Sequence, residues 1–177
     1  MARRPSRGDH EGMNAAALRI LVTGGTFDKN YDELEGKLRF GTTHVPEMLA
    51  LGRSRLQVEI ETLMLIDSLE MTDEHRACIL AACRAAPESR IVITHGTDTM
   101  ELTARALHTA ALDKTIVLTG AMVPYAFGSS DGLFNLGSAL AFAQALPSGV
   151  WVAMNGCYLR GDRVRKDRAI GVFGECD

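Results

Sequence analysis

The chain has 177 residues, 46% of them apolar and 23% charged, which is enough for one hydrophobic core and far from the composition of a disordered chain. A formal charge of −3 leaves no general grip on phosphate backbones, and the one basic run, 160–168, is interrupted by Asp162 and Asp167, so no nucleic-acid partner is expected. No apolar run approaches the roughly 18 to 20 residues that span a bilayer, so no membrane role is expected either. In chain order, residues 1–14 are charged and carry glycine and proline, which predicts a flexible leader ahead of one α/β domain over 15–177. The apolar stretch 15–22 is broken by Arg19 and is no secretory h-region. Without an export signal, Cys78, Cys83, Cys157 and Cys176 read as reduced thiols of a cytoplasmic protein.

Apolar runs bounded by turn residues predict buried strands at 18–22, 91–93, 116–118 and 150–154, with a further alternating strand over 56–66. Between them, helical spacing predicts helices over 72–86, 98–111 and 132–146; Leu102, Ala106, Leu107 and Ala110 share one face. Strands alternating with helices give a three-layer, doubly wound α/β fold on a mostly parallel sheet. Such sheets bind ligands beyond the carboxyl ends of their strands, and the residues found there are glycine, threonine, serine and aspartate.

Two of these strand ends are the most informative. In Thr94-His95-Gly96-Thr97-Asp98-Thr99-Met100-Glu101, Asp98 and Glu101 have the spacing of a capping box. The same segment also suits a ligand: Gly96 admits close backbone approach, the helix start offers N–H groups to an anion, and Asp98 is left for a cation. Thr23-Gly24-Gly25-Thr26 fits neither a dinucleotide fingerprint nor a P-loop; it is either a tight turn or an oxyanion-binding loop beside a hydroxyl nucleophile. Lys114 precedes a strand, where a lysine is ordinarily solvated. Gly128-Ser129-Ser130-Asp131-Gly132 matches a serine-hydrolase pattern, but no strand precedes it and no histidine follows His108. His95 has no partner at metal-ligand spacing, so no metal is expected.

Taken in order, Leu21-Val22-Thr23-Gly24-Gly25-Thr26-Phe27, Asp67-Ser68-Leu69-Glu70-Met71, the segment from Ile93 to Glu101, Lys114 to Met122, Ser130 to Leu136 and Gly149 to Gly156 resemble the bacterial-type L-asparaginases. The resemblance implies the fold of that family's N-terminal domain and hydrolysis of L-asparagine to L-aspartate and ammonia through an acyl-enzyme on threonine, with no cofactor. By motif position, Thr26 is the nucleophile, and Thr97, Asp98 and Lys114 form the second catalytic group, with Lys114 as base. Ser68 and Asp98 hold the substrate's carboxylate and ammonium, while the amides around Gly25, Gly96 and Thr97 face the oxyanion. The family also implies a homo-oligomer, a dimer being favoured.

Three departures accompany the resemblance. The chain has about half the family's usual length, which suits a short single-domain branch or a fragment. Leu69 stands where the family often has glutamine, which predicts weaker substrate binding and low activity on glutamine. The family's loop tyrosine is missing near Phe40-Gly41, and Tyr31 either replaces it or is an ordinary exposed residue. The rival readings are an amino-acid-binding sensor that has lost turnover and an ammonia-releasing amidotransferase subunit.

Overall fold

The computed structural model describes residues 17–176, so the predicted leader lies outside the described residues. Its strands are β1 (Leu18–Gly24), β2 (Lys29–Asp32), β3 (Lys37–Phe40), β4 (Val58–Ile66), β5 (Arg90–Thr94), β6 (Thr115–Thr119), β7 (Gly149–Met154), β8 (Cys157–Arg160), β9 (Val164–Asp167) and β10 (Val172–Glu175). The helices are α1 (Val45–Leu51), α2 (Asp73–Ala85), α3 (Met100–Thr109) and α4 (Gly132–Ala145).

Six strands form the central sheet in the order β4-β1-β5-β6-β7-β8. The first five run parallel, because each returns through a connection over one face, while β8 folds back antiparallel on β7. β1, β5 and β6 are buried on both faces, which is why they read as unbroken apolar runs. Leu21, Ile93 and Leu118 look toward α2 and α3, in a cluster with Ile79, Cys83, Met100 and Leu107. Alternate residues Ile20, Val22, Val92 and Val117 look toward α1 and α4, in a cluster with Met48, Leu136 and Ala139. The sheet therefore sits between two helical layers, as its period-2 pattern dictates.

The predicted strands and helices fall on observed ones. Helix α3 begins later than expected, with Thr99 as its N-cap, and the Asp98–Glu101 capping box does not form. Asp98 is taken by Lys166, and Glu101 accepts the Lys166 backbone N–H at 3.0 Å. The capping box of this chain is at α2, where Thr72 and His75 satisfy each other's backbone donors. The hairpins β2–β3 and β9–β10 lie outside the main sheet. They were not predicted, because their strands are four residues long and mostly exposed.

Candidate active site

At the carboxyl edge of the sheet, the loops after β1, β4 and β5 pack backbone against backbone. Gly25 is left-handed at φ 79°, and a Cβ built on it would stand 2.4 Å from the Gly96 nitrogen and 2.5 Å from its Cα. A Cβ on Gly96 would in turn meet the Ser68 Oγ at 2.5 Å. Only glycine permits this stack. Thr26 and Thr97, each following one glycine of the contact, thereby stand on adjoining loops although 71 residues separate them in the chain. The loops are also tied by hydrogen bonds: Thr23 Oγ1 donates to the Thr94 carbonyl (2.7 Å), Gly25 N to the Ile66 carbonyl (3.1 Å) and Thr99 Oγ1 to the Ser68 carbonyl (2.7 Å).

Thr97 is buried, and Lys166 Nζ donates to its Oγ1 at 2.8 Å and to Asp98 Oδ1 at 2.7 Å. The Lys166 side chain is only 6% exposed, whereas that of Asp98 is 40% exposed. Lys166 lies on β9, where Val164 and Lys166 point inward and Arg165 and Asp167 outward. Arg168 donates to the Asp98 carbonyl at 3.1 Å and closes the same corner.

Lys114 is elsewhere, and its expected role as base is corrected. Its chain position places it at the amino end of β6, and its Nζ donates to the carbonyls of Ala86 and Glu88, the latter at 3.1 Å. Strand β6 separates it from the threonines, which follow the carboxyl ends. The lysine at Thr97 is Lys166, which the sequence reading missed. The available signal is the short run Val164-Arg165-Lys166-Asp167, whose alternate residues Val164 and Lys166 turn inward.

Tyr31 stands on the β2–β3 hairpin, paired in register with Leu38 and 59% exposed. Its hydroxyl makes no hydrogen bond among the described residues. His95 is fully buried: Nδ1 is 2.7 Å from the Gly96 carbonyl and Nε2 is 2.8 Å from Thr103 Oγ1. Burial drives its pKa down to about 4, so the neutral ring donates from Nδ1 and fixes the Gly96 peptide. Asp28, two residues beyond Thr26, accepts from Thr43 Oγ1 and His44 N, both at 2.9 Å, while burial pushes its carboxyl upward.

The serine-hydrolase pattern is absorbed by structure. Ser130 Oγ donates to the Val123 carbonyl at 2.6 Å, and Asp131 accepts the N–H groups of Met122 and Val123, fastening the loop after β6. Asn135, buried at the start of α4, donates to the Gly120 carbonyl and accepts from Asn155 N, both at 2.9 Å. Among the described residues, no cluster of three metal-ligating side chains occurs.

The family model described as asparaginase, N-terminal, matches residues 17–172. The chain is 38% identical over 176 residues to a probable periplasmic L-asparaginase of Haemophilus influenzae, covering 90% of this chain and 49% of the relative. It is 32% identical over 160 residues to the L-asparaginase of Thermococcus kodakarensis, covering 88% and 49%. The solved structure of the thermostable L-asparaginase from that organism superposes with a TM-score of 0.80 at 31% identity, over 90% of this chain and 51% of the other. The chain thus spans about half the length of the relatives it matches.

Proposed function

Because the chain belongs to the bacterial-type asparaginase family, we propose that it hydrolyses the side-chain amide of L-asparagine, giving L-aspartate and ammonia. The observation that carries this reading is the Lys166–Thr97–Asp98 cluster, on a loop whose Gly96 packs against Gly25, the residue before Thr26.

In the proposed reaction Thr26 Oγ attacks the amide carbon, and its proton leaves with the departing nitrogen as ammonia, forming an ester on Thr26. The amides beside Gly25 and Gly96 are the donors proposed for the oxyanion of the tetrahedral intermediate. Water, giving its proton toward the Thr97–Lys166 pair, then attacks the ester and frees aspartate and the Thr26 hydroxyl. Ser68 takes the substrate's α-carboxylate and the free oxygen of Asp98 its ammonium.

Leu69 is exposed and offers no amide to that ammonium, so activity on glutamine is low in this reading. A Leu69→Gln substitution should raise the glutamine-to-asparagine rate ratio. Tyr31 is proposed to reach Thr26 only if the hairpin moves, and a Tyr31→Phe variant with unchanged turnover removes it from the mechanism. The same reading makes the protein a cytoplasmic homo-oligomer, a dimer in its simplest form, to be checked by fractionation and sedimentation.

Ammonia release from L-asparagine by the purified protein tests the proposal. Activity in the wild type that disappears in Thr26→Ala supports it; a wild type that binds aspartate and releases nothing supports a sensor instead.

A further inference from the structure

We infer that Lys29 is a positioning residue for the substrate's carboxylate: through its ion pair with Asp67 it braces the Ser68 turn and cancels a negative charge beside the carboxylate seat. The inference rests on the proposed amidohydrolase reading for the ligand, and the pair itself was assigned no role by any motif.

Lys29 opens β2, three residues after the proposed nucleophile, and its Nζ lies 2.5 Å from Asp67 Oδ2. The two side chains are 19% and 30% exposed, so this is a partly desolvated pair rather than a loose surface contact. Lys29 also faces the ring of Phe40, its cross-strand partner, at 5.7 Å, which fixes the ammonium from a second side. The other oxygen of Asp67 accepts the Leu69 N–H at 3.0 Å and so caps the single 3-10 turn Ser68–Glu70. Each carboxylate oxygen thus has one task, one toward the hairpin and one toward the turn that presents Ser68. Burial of Asp67 opposes its ionisation, but the Lys29 ammonium and the Leu69 N–H outweigh that and hold the carboxyl below its usual range.

Asp67 is adjacent in sequence to the residue proposed to hold an anion. Left unpaired, its carboxylate would repel the incoming one; paired with Lys29, it does not. The arrangement lets an acidic residue shape the turn without its charge opposing the ligand.

The test is a cycle of Lys29→Met, Asp67→Asn and the double variant, with Lys29→Arg as the conservative control, read as KM and kcat for asparagine and as Kd for L-aspartate. Lys29→Met should raise KM and Kd about tenfold, with kcat held within about threefold, a size usual for coupled neighbours. Lys29→Arg should stay near wild type. The double variant should recover most of the lost affinity, because removing the unpaired charge removes the repulsion, whereas a merely structural bridge predicts a double variant at least as poor as Lys29→Met. Unchanged affinity in Lys29→Met, or no recovery in the double variant, overturns the inference.

Should the wild type neither release ammonia nor bind aspartate, the proposed function fails by itself. The pair is then judged by trypsin cleavage after Lys37 and Arg39 on the hairpin. Faster cleavage in Lys29→Met supports the brace, and an unchanged rate overturns it.

Discussion

The two ends of the sheet each hold a lysine, half-buried Lys114 at one and buried Lys166 at the other, and the lysines do different things. At the amino end, Lys114 donates to two backbone carbonyls, those of Ala86 and Glu88, while Glu88 holds Arg19 at 2.8 Å. Such a lysine closes a loop. At the carboxyl end, Lys166 donates to a hydroxyl and a carboxylate, those of Thr97 and Asp98, on the loop whose Gly96 packs against Gly25. What a lysine contacts, rather than how deeply it sits, separates a scaffold group from a chemical one.

The largest effect that could break this contrast lies in turnover. Lys166→Met, Thr97→Ala and Thr26→Ala should each lower kcat by about 10² to 10⁴, with Lys166→Met also lowering Tm because Thr97 and Asp98 lose their charged donor, whereas Lys114→Met should leave kcat near wild type. A Lys114→Met protein that folds and is inactive would reverse the assignment. Next, Gly25→Ala and Gly96→Ala place a methyl within 2.6 Å of neighbouring atoms, and they should cost stability by about 1 to 3 kcal/mol together with most activity, read by denaturant unfolding and ammonia release. Lys114→Met should cost about 1 to 3 kcal/mol in the same unfolding assay, from the two carbonyls it leaves without their charged donor.

A further effect is one of pH. His95 titrates at about 4 when folded and near 6.5 when unfolded, so the unfolded chain binds the extra proton. Stability is complete above the unfolded value and falls as pH drops from about 6.5 toward 4. Glu88 is held below its ordinary value chiefly by the hydrogen bond from Arg19, so its contribution is lost only as pH falls from about 4.5 downward. Thermal unfolding from pH 7 to 3 should therefore lose stability in two stages, and His95→Gln should flatten only the upper one. An unchanged slope between pH 6.5 and 4.5 in that variant would refute the assignment to His95.

The fold was legible because strands buried on both faces announce themselves as short apolar runs, α2 and α3 carry a helical period, and α4 is a longer run of small and apolar residues. The hairpins were not, since strands of four residues with mixed polarity are too short to stand out, although β9 alternates buried and exposed positions. Within the proposed site, Thr26, Ser68, Thr97 and Asp98 stand out in the sequence because each follows a strand and small residues flank it, and of these the structure joins Thr97 and Asp98 through Lys166. Lys166 was hidden by distance along the chain: β9 reaches Thr97 across 69 residues, and only the fold brings them together. Lys114 misled in the opposite way. Its place before β6 already marked it as belonging to the far end of the sheet, and motif order alone suggested otherwise.

The stack of Gly25 on Gly96 on Ser68 sets the spacing of the proposed catalytic loops by backbone contact. Anyone reshaping its specificity would find that single-site libraries at these three positions return mostly misfolded clones. Useful diversity must enter from the rim, at Leu69, Met122 and the β2–β3 hairpin, where side chains already meet solvent.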